Sequence, residues 1–195
     1  MESRNRILKR VKQNQPQQCT GSIYNITPQH FSDVIEKFKE TLIAIGGSVC
    51  ELSSLEEVSP YVDNLFPNRK NELNFFTRSN QQTSNTCNTG HDYENIDLVV
   101  LKGQFGVAEN GGIWITEKNM LDRALPFICE NLILVVNRND IVHTLHDAYL
   151  RIEPTEYQYG TFIAGPSKTA DIEQSLVLGA HGAKSLTVLL IPNAI

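Results

Sequence analysis

Three short segments of the chain combine glycines with side chains able to do acid–base or anion chemistry. The first is Gly103-Gln-Phe-Gly-Val-Ala-Glu-Asn-Gly-Gly112, four glycines in ten residues around one carboxylate, Glu109. Glycines at that density imply tight turns and close backbone approach. A carboxylate held there can act as nucleophile or general base, with nearby backbone N–H groups stabilising an oxyanion. Glu109 is thus a candidate catalytic residue, and Gly106, Asn110 and Gly111 are candidate ligand-binding positions. The plainer reading is that the glycines shape a β-connection and Glu109 is solvated or paired structurally.

The second segment is Gly165-Pro-Ser-Lys-Thr-Ala-Asp171, expected between a strand and a helix. Such junctions offer unpaired N–H groups and a positive dipole end to an anion. Gly165, Ser167, Lys168, Thr169 and Asp171 are the candidate ligand-binding positions. The GxxxxGK[ST] spacing of a P-loop is missing. Asp171 and Glu173 in the first turn could equally satisfy the dipole themselves. The third segment is Gly179-Ala-His-Gly-Ala183, where His181 could shuttle a proton near neutral pH or simply be a hydrogen-bonded turn residue. His143 and His146 are three apart and could share a helix face, but no carboxylate or cysteine completes a set, so no metal site is expected.

The elements that position these segments follow from patterning. Thr27 and Pro28 suit a helix start, and Phe31, Val34, Ile35, Phe38, Leu42 and Ile45 share one helical face that Gly46-Gly47 closes. Ser48–Leu52 reads as a strand, and Ser53 with Glu56, or Ser54 with Glu57, caps a helix to about Phe66. Leu73–Thr77, Asp97–Lys102, Gly112–Thr116, Leu132–Val136, Gly160–Ala164 and Leu186–Ile191 read as strands. Between them, helices are expected at Met120–Phe127, stopped near Pro126, at Asp140–Arg151 with Ile141, Leu145, Ala148 and Tyr149 inward, and at Ala170–Leu178. Residues 79–95 contain no aliphatic side chain and read as a long exposed loop. Trp114 reads as core. Strands alternating with helices predict an α/β domain, an open, largely parallel sheet with helices on both faces. Ligands in such sheets bind beyond the carboxyl ends of strands, and residues 103–112 leave such an end.

Composition narrows the function. At 195 residues the chain is one domain, residues 25–195, with a basic arm and linker over 1–24; Ile7, Leu8 and Val11 give the arm the spacing of a short amphipathic helix. The hydrophobic fraction of 41% supports a core without disulfides or metals. A net charge of −5 argues against a general nucleic-acid binder. No apolar run is long enough to span a membrane and no secretory signal is visible, so a cytoplasmic location is expected. Cys19, Cys50, Cys87 and Cys129 form no CxxC pair, so no iron–sulfur cluster or zinc is expected in this chain, and the thiols are expected reduced. GxGxxG is missing too.

GVAENGGIWITE (106–117), followed by GTFIAGPSKTADIEQSLVLGAHGAKSLTVLLIP (160–192), resembles the LUD domain of the lactate-utilisation C proteins. The second block is the more specific: GPSKTADIE, then LVLGAHG, then an apolar strand recur as a unit. The resemblance spans about residues 25–192. It implies a fold like the NagB/RpiA/CoA-transferase group. It also implies a part in oxidising L-lactate to pyruvate with two iron–sulfur partner proteins, this chain being the subunit without a cluster. A narrower likeness, Ala108-Glu-Asn-Gly111, is similar to the Ser-Glu-Asn-Gly segment carrying the nucleophilic glutamate of some CoA-transferases, with Ala108 in place of the serine.

Three functions therefore stand open at this stage. One is a lactate-oxidation subunit binding a small carboxylate or a phosphate-bearing ligand between the Glu109 and Lys168 turns. Another is a stand-alone CoA-transferase-like or sugar-phosphate enzyme using Glu109. The last is a non-enzymatic regulatory or scaffold protein that docks partners through the arm and loop 79–95.

Overall fold

The computed structural model describes residues 2–15, 29–76, 93, 95–120, 122–153, 157–170, 176–179 and 181–192. In chain order it contains α1 (Glu2–Gln13), α2 (Val34–Ala44), β1 (Ser48–Glu51), α3 (Val58–Leu65) and β2 (Glu72–Asn74). Then follow β3 (Leu98–Lys102), β4 (Phe105–Val107), β5 (Gly112–Thr116), α4 (Leu125–Ile128), β6 (Asn131–Asn137) and β7 (Ile141–Val142). The chain ends with α5 (Leu145–Arg151), β8 (Gly160–Ile163), β9 (Lys168–Ala170), β10 (Leu176–Leu178) and β11 (Ser185–Ile191).

The most apolar runs form the centre. β11 and β6 pair in parallel over seven residues, from Ser185↔Asn131 to Ile191↔Asn137. β3 lies beside β6, β2 forms one edge and β1 the other, giving a parallel sheet in the order β1-β11-β6-β3-β2. Successive side chains point to opposite faces. Val99, Leu101, Leu132, Leu134, Val188 and Leu190 meet Phe38 and Leu42 of α2. Leu98, Val100, Ile133, Val135, Leu189 and Ile191 meet Val58 and Val62 of α3. Both faces are covered, which is why these strands read as continuous apolar runs rather than alternating ones.

The segments GIWIT and GTFI do not extend that sheet. They form a second one, ordered β7-β4-β5-β8, in which β5 pairs antiparallel with β4 and β8. Only Gly103 and Gln104 separate β3 from β4, and a parallel neighbour needs a crossover of a dozen or more residues. The chain turns instead onto a second layer, whose Ile113 and Ile115 join α2 over the parallel sheet. On the far side of that layer, Trp114 packs with Phe105, Phe162 and Tyr157. Gly160 is obligatory there: a Cβ would lie 2.3 Å from the indole.

Several expected elements need correction. α2 starts at Val34, capped by the Asp33 carboxylate on the Ile35 and Glu36 amides; Phe31 precedes it, and Thr27 and Pro28 lie outside the described residues. Its end is as expected, with Gly46 at φ +90°. The stretch after Ser53 opens as a 3-10 turn whose N-cap, Ser54, makes no side-chain cap bond, so the expected Ser54–Glu57 box does not form; the Glu57 carboxylate instead accepts from the Ser53 amide, four residues back. Pro126 lies in the first turn of the short α4, where a missing N–H is harmless, rather than ending a helix. Asp140 caps no helix: Ile141–Val142 is a strand, and α5 is capped by Thr144 in a reciprocal pair with Asp147. Tyr149 points outward at 63% exposure.

Of the helix expected at Ala170–Leu178, the described residues are strands instead: β9 and β10 pair antiparallel, with Lys168 opposite Leu178 and Ala170 opposite Leu176, and residues 171–175 lie outside the described residues. Helix propensity is only a weak prior that tertiary pairing overrides. Most of loop 79–95 lies outside the described residues, but Tyr93 is buried at 3% and belongs to the core: one aromatic ring supplies the apolar area that aliphatics would. Cys50 and Cys129 are free thiols; Cys19 and Cys87 lie outside the described residues. Among the described residues no helix is long and apolar enough to cross a membrane.

Candidate functional site

The Glu109 turn joins β4 to β5. The Gly111 N–H closes it onto the Val107 carbonyl at 2.9 Å, and Asn110 Oδ1 accepts from the Gly112 amide at 2.9 Å. Gly111 adopts φ +69°, and a Cβ there would meet Ile45 Cδ1 at 3.0 Å. Gly106 is equally constrained, since a Cβ would lie 2.7 Å from Ile141 Cδ1. These glycines are required by packing of the second sheet against α2.

Glu109 itself is exposed and has a structural partner: its Oε2 accepts from the Leu145 amide at 2.8 Å, at the start of α5. Asp147 serves the same helix start, accepting from the Thr144 amide at 3.0 Å and its hydroxyl at 2.8 Å. Burial alone would raise the Asp147 carboxyl. The Thr144 donors and the charges of His30 and His143 outweigh it and hold the group below the ordinary aspartate range. His143 lies beside His30, rings edge-on at 4.7 Å, and its Nδ1 accepts from the Phe31 amide at 3.0 Å. Spacing suggested His146 as its neighbour; the pairing with His30 crosses 113 residues of sequence and had no local signal. Among the described residues no group of three or more His, Cys, Asp and Glu is placed to hold a metal.

The second turn comes close to the first. Continuing the β5–β8 ladder past Ile113↔Ile163 brings Gly111 and Gly165 to neighbouring positions. Both abut Ile45: a Cβ at Gly165, which has φ +72°, would lie 2.9 Å from the Ile45 carbonyl. The space between the glycines is occupied by the end of α2. Lys168 is placed by the same helix end, its ammonium against Gly46. A cation at a helix C-terminus is favourable. Lys168–Ala170 is the strand β9, so the amides of these three residues are not at a helix start, and residues 171–175 lie outside the described residues. Thr169 lies on β9 opposite Val177, and Asp171 lies outside the described residues.

Ser167 is joined to the third turn. Its N–H donates to the Ala183 carbonyl at 2.9 Å, its carbonyl accepts from Gly179 at 3.1 Å, and a Cβ on Gly182 would press on it at 3.0 Å. His181 is exposed and lines an open groove of about 670 Å3 at the amino ends of the central strands, with Lys70, Asp97, Phe127, Glu130 and Lys184. Lys184 is paired with Glu130 at 2.8 Å. Asp97 holds the Lys70 and Asn71 amides, and these donors keep its carboxyl below the ordinary range. So the structure gathers Gly111 and Gly165 on Ile45, and Ser167 beside the His181 turn, while Glu109 and Lys168 serve different helices.

A different hollow opens at the opposite end of the parallel sheet. There Lys102, Gln104, Lys118, Asn119, Asn137 and Asp140 line a crevice of about 240 Å3. Of these, only the exit of the chain from β3 at residue 103 was signalled by sequence, because the others come from separate elements.

A parallel sheet layered by a second, mostly antiparallel sheet, with helices packed on it, defines an α/β protein. The family model of the LUD domain matches residues 62–191, and the chain belongs to that family. It is 23% identical over 195 residues to the lactate utilization protein C of Anoxybacillus flavithermus, covering 98% of this chain and 83% of that protein. Against the protein of the same name from Geobacillus kaustophilus it is 28% identical over 122 residues, 60% of this chain and 47% of the relative; for that of Bacillus pumilus the figures are 33%, 48% and 42%. These two matches span about half the length of the relatives. Among solved structures, a DUF162 family protein from Deinococcus radiodurans has the same fold, with a TM-score of 0.60 at 16% identity over 84% of this chain and 99% of that one.

Proposed function

We propose that this chain acts in lactate utilisation, as the subunit without a cluster beside iron–sulfur proteins that oxidise L-lactate to pyruvate, in the cytoplasm. The observation that carries this reading is the match to a lactate utilization protein C along nearly the whole chain. On this reading the LUD domain runs over residues 25–195, with 1–24 as an arm. Support for extending it upstream of residue 62 is physical: β1 pairs with β11, and Phe38 and Leu42 of α2 lie in the main core. A NagB/RpiA/CoA-transferase-like arrangement belongs to the same reading, as does a small anionic ligand, carboxylate or phosphate-bearing.

A covalent role for Glu109 has less support. One of its carboxylate oxygens accepts from the Leu145 amide at a helix start, which stabilises the carboxylate in a structural role. Deleting the gene tests the reading. Growth on L-lactate as sole carbon source is expected to fail and to return with a plasmid copy. Undiminished growth would remove lactate utilisation as its role.

A further inference from the structure

The link between β7 and α5 holds an imidazole that fastens a distant piece of backbone. His143 Nδ1 accepts from the Phe31 amide at 3.0 Å, across 112 residues of sequence. The two rings are stacked, 29° apart with centroids at 6.0 Å, so Phe31 meets His143 by its amide and by its face. Phe31 also packs against the main core, and two residues further on Asp33 caps α2. One hydrogen bond thus ties the approach to α2 onto the second sheet.

The imidazole side of this contact is fixed. The Glu109 amide donates to the His143 carbonyl at 3.0 Å, and the Ala108 amide to the Val142 carbonyl at 2.9 Å. Thr144, the next residue, is locked in its reciprocal pair with Asp147. His143 is therefore held from both neighbours, whereas Phe31 precedes its helix. If the bond between them breaks, the segment before α2 is the part that moves.

The chemistry of the bond makes it sensitive to protons. A neutral imidazole has one donor nitrogen and one acceptor, and an imidazolium has two donors. Accepting at Nδ1 requires the neutral ring with its proton on Nε2. A proton on Nδ1 would set two N–H groups against each other at 3.0 Å with no acceptor between them. Histidine is the side chain that makes this change between pH 5 and 8. The charged and titratable neighbours come from each element around it. His30, edge-on at 4.7 Å, opposes a charge on His143 once it is itself protonated. Asp147 of α5, within range of both rings, favours one. The Lys37 ammonium of α2 lies over the Phe31 ring at 5.7 Å from its centroid. Asp33 is engaged by the amides of α2, Glu109 by the Leu145 amide, and His146 is exposed on α5.

We infer that His143 is a proton-operated latch: neutral, it holds the Phe31 amide, and protonated on Nδ1, it releases residues 29–32. These residues join the N-terminal arm to α2, so acid loosens the arm's connection to the domain. Opening takes up one proton and passes one amide to water. The latch depends on no ligand, partner or cellular role.

Amide hydrogen exchange of the full chain, read by NMR at a series of pH values from neutral to mildly acid and corrected for intrinsic rates, tests it. Protection of the Phe31 amide is expected to fall by up to about tenfold per pH unit, the slope that uptake of one proton on opening requires. The Lys37 amide, bonded to the Asp33 carbonyl at 3.1 Å, is expected to stay protected. Ring-nitrogen shifts of His143 are expected to place its proton on Nε2 at neutral pH. His143→Asn offers an acceptor that does not titrate and should keep Phe31 protected throughout. His143→Phe keeps the stacked ring without the acceptor and should lose that protection at every pH. His30→Phe should keep the pH step. Five results would overturn the latch: pH-independent protection of Phe31, equal loss at Lys37, a proton on Nδ1 at neutral pH, a step that survives in His143→Asn, or a step that vanishes in His30→Phe. The first three are read in the parent chain and stand whether or not the variants fold.

Discussion

Glu109 and Lys168 stand at opposite kinds of helix end, the carboxylate at the start of α5 and the ammonium at the finish of α2. Each placement is favourable by itself, so neither charge requires a ligand to explain it. Glu109→Ala is expected to destabilise the fold by about 1 kcal/mol in urea titrations, and Glu109→Gln, which keeps an acceptor, by clearly less. Gly160→Ala meets the indole at 2.3 Å and is expected to cost about 1–3 kcal/mol through overpacking. Trp114 is the one tryptophan, so its emission reports the disturbance directly. Cys129 is buried and its thiol is pushed up to about 12 by desolvation, so maleimide at neutral pH should label it only on unfolding. The Asp147 carboxyl is held below the usual aspartate value of about 3.9. A depressed carboxyl stabilises the fold above the unfolded value and loses that contribution as pH falls through the lower folded one. The stability gap between the parent and Asp147→Asn should therefore be widest near neutrality and close in acid, as urea midpoints across pH would show.

Strands were the most legible elements. Those at 98–102, 112–116, 131–137, 160–163 and 185–191 follow directly from short apolar runs between glycines and polar turns. What sequence did not reveal was which layer each run enters. GIWIT and LILVV look alike, yet one joins an antiparallel sheet and the other a parallel one, because the link after β3 is too short to cross over. Helix starts were least legible where capping residues compete. Thr27, Asp33, Asp140 and Thr144 are all good caps, and the decisive feature, a side-chain oxygen meeting the right amides, appears only in three dimensions. Asp33→Ala should cost about 1 kcal/mol. Leu42→Ala should cost about 2–5 kcal/mol, since the side chain is fully buried between α2 and the main core. Both are measurable by urea unfolding followed through far-UV circular dichroism.

Over the whole molecule, the parallel sheet separates two polar regions. The amino ends carry the open groove with His181, and the carboxyl ends carry the smaller crevice with Lys102 and Lys118. The glycine-rich segments pointed toward both regions without distinguishing them. Gly111 and Gly165 proved to be contacts with α2, whereas Gly103 floors the crevice. The remaining crevice side chains are lysines, amides and one aspartate at the ends of β3 and β6 and just after β5, residue types common on any protein surface. Only the layering of one sheet on another brings them together. The account therefore rests on whether this chain takes a small acid at all. Amide NMR of the labelled chain titrated with L-lactate reads this directly. The account predicts a set of signals that shift and saturate. Signals that stay unmoved across the whole titration would contradict it.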